Sequence, residues 1–177
     1  EDETAGLMLL EKLADTNAAY LAAQIDAGAQ AVQIFDTWAG LVDPQDFARW
    51  ILPSVQRMIR HLRKHNSETP IIYFARDCGH AMEHVQQSGD DVLSIDWRNP
   101  LDAVRKQVGP GDALQGNLHP VALFAPWDEL RKRVDDVLAR AGDTPGYIFN
   151  LGHGILPETP VDNVRRVVEH VHEKTSN

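Results

Sequence analysis

The sequence has very little cysteine and no long apolar run. Cys78 is the one cysteine among 177 residues, which excludes an internal disulfide framework and favours a reducing compartment. No stretch of 18 or more apolar residues and no signal-peptide pattern is present. We therefore expect a cytoplasmic chain with no membrane partner.

Basic residues are also scarce, with 17 Lys and Arg against 26 Asp and Glu and a net charge of −9. This balance argues against a nucleic-acid partner. An anionic ligand would have to be met by a local basic group, because the overall field repels it. The glycine fingerprints of dinucleotide and P-loop sites are missing as well, so nucleotide binding has no support.

What the sequence does contain is a regular alternation of strand and helix patterns. Helically spaced apolar residues run from Leu10 to Ile25, and Gly28 is placed to end that helix. The predicted strands are Ala31–Asp36, Ile71–Ala75, Val92–Trp97, Ala113–Asn117 and Tyr147–Leu151. Helical patterns follow each strand, and Pro53 should kink or split the one that begins at Asp43-Pro44. The alternation predicts an α/β fold with a parallel sheet.

Polar or small residues end several of these strands: Asp36-Thr37, Arg76-Asp77, Asp96-Trp97, Gly116-Asn117, Asn150 and Gly152. Such residues at the carboxyl ends of parallel strands are typical of the active face of a (β/α) barrel. A complete barrel needs roughly 250 residues. Five strands therefore predict either an open sheet or part of a barrel.

The loop after the last predicted strand reads Gly152-His153-Gly154. Glycine on both sides permits close approach of the backbone to a ligand, so His153 is a candidate site residue. Thr159 and Pro160 are predicted as the N-cap and first residue of the next helix. The local pattern alone is equally compatible with a histidine that only bonds its own loop.

Four motifs together resemble the uroporphyrinogen decarboxylase family. They are Ala27–Gly40, Ile95–Trp97, Leu114–Leu118 and Phe149–Ile155, in the family's order and with similar spacing. The resemblance implies that residues 1–177 are the C-terminal portion of a (β/α)8 TIM barrel, with about five βα units and the N-terminal half before Glu1. The family's arginine-rich loop, essential aspartate and substrate-contacting tyrosine have no match here. The resemblance thus assigns no catalytic residue to these 177 residues and predicts them inactive alone.

The chemistry that the resemblance implies is decarboxylation of the four acetate side chains of uroporphyrinogen III to give coproporphyrinogen III in haem biosynthesis. The family uses no metal or organic cofactor and forms homodimers. By position, His153 matches the family's substrate-contacting histidine, and Thr37 matches a Ser or Thr that contacts a substrate side chain. The sequence departs from the family at Arg76 (usually Lys), Asp77-Cys78 (usually glycines) and His119 (usually Asp).

Other metal sites and functions have less support in the sequence. His80 to His84 fits an H-x-x-E-H zinc pattern, but no third ligand is identifiable. His170 and His172 lie two apart and cannot chelate together on a helix. The related zinc- and corrinoid-dependent methyltransferases need thiolates at strand ends where this chain has Phe74-Ala75-Arg76 and Gly152-His153-Gly154. A non-enzymatic binding or regulatory half-barrel derived from the family is a further alternative.

Overall fold

The computed structural model describes residues 2–143 and 145–176. The chain divides into two compact units, Glu1–Leu93 (unit 1) and Ser94–Asn177 (unit 2). Helices alternate with strands throughout the described residues, so the predicted α/β class is confirmed.

Five strands form one sheet whose order follows the chain, β1-β2-β3-β4-β5. Their bounds are β1 Val32–Asp36, β2 Ile71–Ala75, β3 Val92–Ser94, β4 Ala113–Leu118 and β5 Tyr147–Leu151. β1 and β2 pair in parallel, with Val32 opposite Ile71. β4 and β5 also pair in parallel, with Leu114 opposite Tyr147. Each predicted strand is present, although β3 ends three residues earlier than predicted.

Unit 1 contains helices α1 Glu3–Asp26, α2 Pro44–Asp46, α3 Leu52–His65 and α4 Met82–Val85. A π-helical segment, Phe47–Ile51, separates α2 from α3. Pro53 lies in the first turn of α3, where its missing N–H costs no helical hydrogen bond. Pro53 was predicted to kink or split this helix. The backbone stays helical from α2 into α3, and the irregularity is the π-helical segment directly before α3.

The core of unit 1 forms where α1 packs on α3. The buried side chains of α1 are Ala14, Ala18, Leu21 and Ile25, and those of α3 include Val55, Met58, Ile59 and Leu62. Small residues on α1 allow close approach to the larger ones of α3. Arg57 also bonds both carboxylate oxygens of Asp15, at 2.7 and 2.9 Å, which fixes the register of the two helices.

Unit 2 contains α5 Leu101–Val108, α6 Trp127–Ala141 and α7 Val161–Thr175. The prediction that Thr159 caps α7 is wrong. Thr159 is buried, and its hydroxyl accepts a hydrogen bond from the Leu156 N–H at 3.1 Å, inside the preceding loop. Pro160 takes the N-cap position instead, and the helix begins at Val161.

Within residues 2–143 and 145–176, the model contains no helix long and apolar enough to cross a membrane.

Candidate functional site

In unit 1, the turn that carries Thr37 directly follows β1. Thr37 is half-buried. Two backbone hydrogen bonds hold the surrounding loop: Arg76 N–H donates to Asp36 O, and Gly40 N–H donates to Arg76 O, both at 3.1 Å. A Cβ atom on Gly40 would lie 2.6 Å from the carbonyl oxygen of Asp77, so only glycine fits at this contact.

A half-buried acid, Asp36, directly precedes Thr37. The Tyr73 hydroxyl donates to Asp36 Oδ2 at 3.3 Å. Burial raises the pKa of Asp36, while Tyr73 and the backbone N–H groups of Ala39 and Trp38 counteract that rise. The same burial, together with the Asp36 charge, raises the pKa of the Tyr73 phenol.

Sequence reasoning noted Asp36 as a strand-end acid but missed its tyrosine partner. The pairing register of β1 and β2 explains the contact. Tyr73 lies opposite Ile34, so its side chain shares a face of the sheet with Asp36 two residues further along β1.

Asp77 and Cys78, where the family resemblance predicts glycines, each have a defined place in the loop after β2. Asp77 adopts φ +61°, the left-handed region that glycine favours and that Asp tolerates better than most residues. Cys78 is 1% exposed and packs in the core of unit 1. The loop thus keeps a backbone conformation suited to glycine without having one at position 77.

In unit 2, the Gly-His-Gly loop that follows β5 packs against the loop that follows β3. Gly152 N–H donates to Leu118 O at 2.8 Å. A Cβ atom on Gly152 would lie 2.4 Å from the backbone nitrogen of Trp97, so the predicted close approach is to protein backbone. Gly154 has no heavy atom within 4 Å of such a position. His153, between them, is half-buried.

Three side chains contact the indole of Trp97 in unit 2. The Arg98 guanidinium carbon lies 4.3 Å from the indole centroid. The His119 ring lies at 4.7 Å with a 56° tilt. The His153 ring lies at 6.3 Å and nearly perpendicular, at 87°. These distances are those of cation–π and edge-to-face contacts.

Asn117 and Asp96 form hydrogen bonds that hold the loop after β3, which carries Trp97. Asn117 Nδ2 donates to Asp96 O at 2.9 Å and to Asn99 O at 2.6 Å. Asp96 Oδ1 accepts from the Arg98 N–H at 2.8 Å. Both Asp96 and Asn117 are buried, at 1% and 7% exposure. The sequence predicted both at strand ends, which holds for Asn117 in β4, whereas Asp96 lies two residues beyond β3. Their role in holding a loop was not predicted.

His119, one of the positions where the sequence was expected to depart from the family, caps the short helix that follows β4. Its Nδ1 accepts a hydrogen bond from the Val121 N–H at 3.0 Å, at the start of the 3-10 helix Pro120–Phe124. That bond requires an unprotonated Nδ1. Desolvation, followed by the charges of Arg133 and Arg98, lowers the pKa of His119, which favours the same form.

The predicted site residues belong to different units, Thr37 to unit 1 and His153 to unit 2, and both roles stay predictions. Among the residues described, no group of three or more His, Cys, Asp or Glu side chains is placed to hold a metal ion. His80 instead bonds the Val42 carbonyl at 2.8 Å. His170 bonds Asp135 at 2.7 Å between α6 and α7.

Parallel strands that end in polar loops, with helices between them, define an α/β protein of the partial (β/α)-barrel type. The chain belongs to the uroporphyrinogen decarboxylase family, because the family's sequence model, described as "Uroporphyrinogen decarboxylase (URO-D)", matches residues 2–174.

Curated relatives agree with this assignment. The chain is 52% identical over 168 residues to the uroporphyrinogen decarboxylase of Roseiflexus sp. (strain RS-1), covering 93% of this chain and 48% of the relative. It is 47% identical to that of Carboxydothermus hydrogenoformans, covering 95% and 47%. The chain thus spans about half the length of the curated relatives it matches.

A solved structure, a methyltransferase from Methanosarcina mazei, matches with a TM-score of 0.73 at 22% identity. The match covers 92% of this chain and 48% of the methyltransferase. At this identity the likeness shows the shared fold alone. Together with the family match, it confirms the predicted partial (β/α)8 barrel.

Proposed function

We propose that this chain is part of a uroporphyrinogen decarboxylase, which converts uroporphyrinogen III to coproporphyrinogen III by removing four acetate carboxyl groups. The observation that carries the proposal is the family match over residues 2–174. The similarity to curated decarboxylases at 52% and 47% identity supports it. The methyltransferase likeness supports the fold and adds no argument for methyl transfer.

The chemistry needs few protein groups. Protonation of a pyrrole ring carbon turns the ring into an electron sink for the electrons that departing CO₂ leaves behind. The protein then has to supply protons and to position a polyanionic substrate. We propose that no metal or organic cofactor takes part.

In this scheme the two strand-end residues bind substrate. A protonated His153 would pair with a substrate carboxylate, and the Thr37 hydroxyl would donate a hydrogen bond to a second side chain. His153 is half-buried at the end of β5, and Thr37 is half-buried at the end of β1, positions typical of ligand contacts in this class of fold.

We further propose that residues 1–177 act as one partial barrel, completed by the part of the family that they do not match. The relatives are about twice as long as the matched stretch, which supports this proposal. A homodimer and a cytoplasmic location complete it, by analogy with the family.

A fusion tests the function directly. Residues 1–177 are joined behind the preceding half of the Roseiflexus relative, in place of that enzyme's own C-terminal half. The fusion is incubated with uroporphyrinogen III, and the products are separated by their number of carboxyl groups. We expect stepwise decarboxylation by the fusion and none by residues 1–177 alone. A folded fusion without turnover would contradict the proposal.

The same assay tests His153. Loss of a charge-assisted hydrogen bond should lower kcat/KM in His153→Ala by about 1.5–3 kcal/mol, or roughly ten- to hundredfold. His172→Ala is the matched control, because His172 is an exposed histidine on α7. An equal kcat/KM in both variants would remove His153 from the site.

A further inference from the structure

Two half-buried tryptophans of unit 2 each contact an arginine and a perpendicular histidine ring, and Trp97 contacts His119 as well. We call the groups around Trp97 and Trp127 the first and the second assembly. In the first, Arg98 lies 4.3 Å from the Trp97 centroid, and His153 lies perpendicular at 6.3 Å. In the second, Arg166 lies 4.1 Å from the Trp127 centroid, and His170 lies at 5.8 Å and 89°. The contacts of Trp127 can therefore be compared with those of Trp97 within the same chain.

The second assembly packs two helices, α6 and α7, against each other. Trp127 begins α6, and both Arg166 and His170 lie on α7. His170 is 7% exposed, and its Nε2 lies 2.7 Å from the carboxylate of Asp135, also on α6. Every partner of Trp127 in this assembly is thus on a helix, and the contacts join α6 to α7.

The first assembly lies at the strand ends. Trp97 follows β3, His119 follows β4 and His153 follows β5. The backbone at Gly152 is pressed against the backbone of Trp97, with no room for a side chain between them. This backbone contact therefore fixes where the His153 backbone lies relative to the indole, independently of any side-chain contact.

The neighbours of His153 in sequence are glycines, so residues 152 and 154 bring no side chain to steer its imidazole. The indole of Trp97 supplies a flat surface next to it, and edge-to-face contact favours one ring orientation. The indole itself is held by the Arg98 guanidinium and by the ring of His119, which is tied to the Val121 N–H.

We propose that Trp97 is a positioning residue that sets the orientation of the His153 imidazole for its substrate carboxylate. The proposal rests on the proposed function, in which His153 contacts substrate. A charge-assisted hydrogen bond depends on the angle as well as the distance between its groups. A misdirected ring therefore loses affinity even when its backbone has not moved.

The test compares Trp97→Leu, Trp97→Phe and Trp127→Leu in the full polypeptide that carries this chain. Histidine ring signals are recorded by NMR, with those of His153 assigned from their loss in His153→Ala. Trp97→Leu should move the His153 and His119 signals, since the indole ring current is gone. Trp127→Leu should move those of His170 and leave the His153 signals in place.

The kinetic constants should likewise change in the Trp97 variants and stay unchanged in the Trp127 variant. We expect Trp97→Leu to lower kcat/KM about three- to tenfold, less than His153→Ala, because the imidazole is retained but misdirected. Trp97→Phe should recover most of this loss, since a flat ring is restored. Trp127→Leu should lower the melting temperature with kcat/KM unchanged.

A double-mutant cycle decides whether Trp97 acts through His153. Trp97→Leu should have little further effect on kcat/KM in a His153→Ala background. Additive effects, or unmoved His153 signals in the folded Trp97→Phe and Trp97→Leu variants, would overturn the positioning role. Shifted His153 signals with normal kinetics in His153→Ala would instead leave the positioning contact intact and overturn the proposed function.

Discussion

A Cβ atom placed on Gly152 would lie 2.4 Å from the backbone nitrogen of Trp97. No real side chain tolerates that distance, so the loop after β5 and the loop after β3 are in backbone contact. The Gly152 N–H also donates to Leu118 O, which ties the same loop to the end of β4. Three consecutive strand ends of unit 2 therefore share one small framework around His153.

The first prediction is that Gly152→Ala will displace this framework. The added methyl group must push the backbone of Trp97 away, and overpacking of this kind costs about 1–3 kcal/mol. Urea unfolding should show that loss, and the His153 ring signals should move. Gly154→Ala is the matched control on the other side of His153, with no heavy atom within 4 Å, and should change neither. Equal behaviour of the two variants would refute the contact.

The second prediction concerns Asn117, whose amide donates to two carbonyl oxygens. Asn117→Asp replaces the donor with an acceptor that faces both carbonyls in a buried position, which should cost about 2–4 kcal/mol of unfolding free energy. Its register partner Asn150 provides the control, since Asn150 is exposed and its Oδ1 accepts from the Leu151 N–H. An aspartate accepts that bond equally well, so Asn150→Asp should be nearly neutral.

The third prediction is a pH dependence from His119. Its pKa is lowered in the folded chain, so the fold favours the neutral ring. The stability it contributes is present above the unfolded-state pKa of about 6.5 and is lost as pH falls through the folded-state pKa. His119→Asp keeps an acceptor for the Val121 N–H and removes this titration.

Unfolding free energies measured from pH 7.5 to pH 5 check the His119 prediction. The unaltered chain should lose more stability over this range than His119→Asp does. If the unfolding free energies of the two proteins fall equally with pH, protonation of His119 does not destabilise the fold and the prediction is wrong.

Local patterns in the sequence predicted the elements well where one physical rule dominated. Pro53 predicted a kink or split because its missing N–H interrupts a helix, and the structure has the π-helical segment Phe47–Ile51 directly before α3. A helix follows β3, as its helical pattern predicted, and α5 lies directly between Pro100 and Gly109. Thr159 failed because its hydroxyl had a competing partner in its own loop, the Leu156 N–H.

The site was less predictable because its contacts join residues far apart in sequence. Nothing local to Asp36 indicates that the Tyr73 hydroxyl reaches it, and nothing local to Asn117 indicates Asp96 and Asn99 as its partners. Only the pairing of strands brings such residues together. The positions of Thr37 and His153 followed from the strand ends, whereas the groups that surround them required the structure.

The last prediction concerns the pair formed by Asp36 and Tyr73. Burial raises the pKa of Asp36, so its contribution to stability is full below the unfolded-state pKa of about 3.9 and is lost as pH rises through the folded-state value. The Tyr73 hydroxyl counteracts this loss because it donates to the carboxylate. Tyr73→Phe removes that donor and leaves the half-buried Asp36 charge with less compensation.

The cost of Tyr73→Phe should therefore grow with pH. We expect about 1–2 kcal/mol at pH 7 and less at pH 4, where Asp36 is increasingly protonated. Tyr147→Phe is the control, because the Tyr147 hydroxyl donates to the neutral Gly116 carbonyl and its loss should cost the same at both values of pH. Urea unfolding of both variants at pH 4 and pH 7 provides the measurement. A cost for Tyr73→Phe as independent of pH as that of Tyr147→Phe would mean that Asp36 does not depend on the phenol for its ionisation.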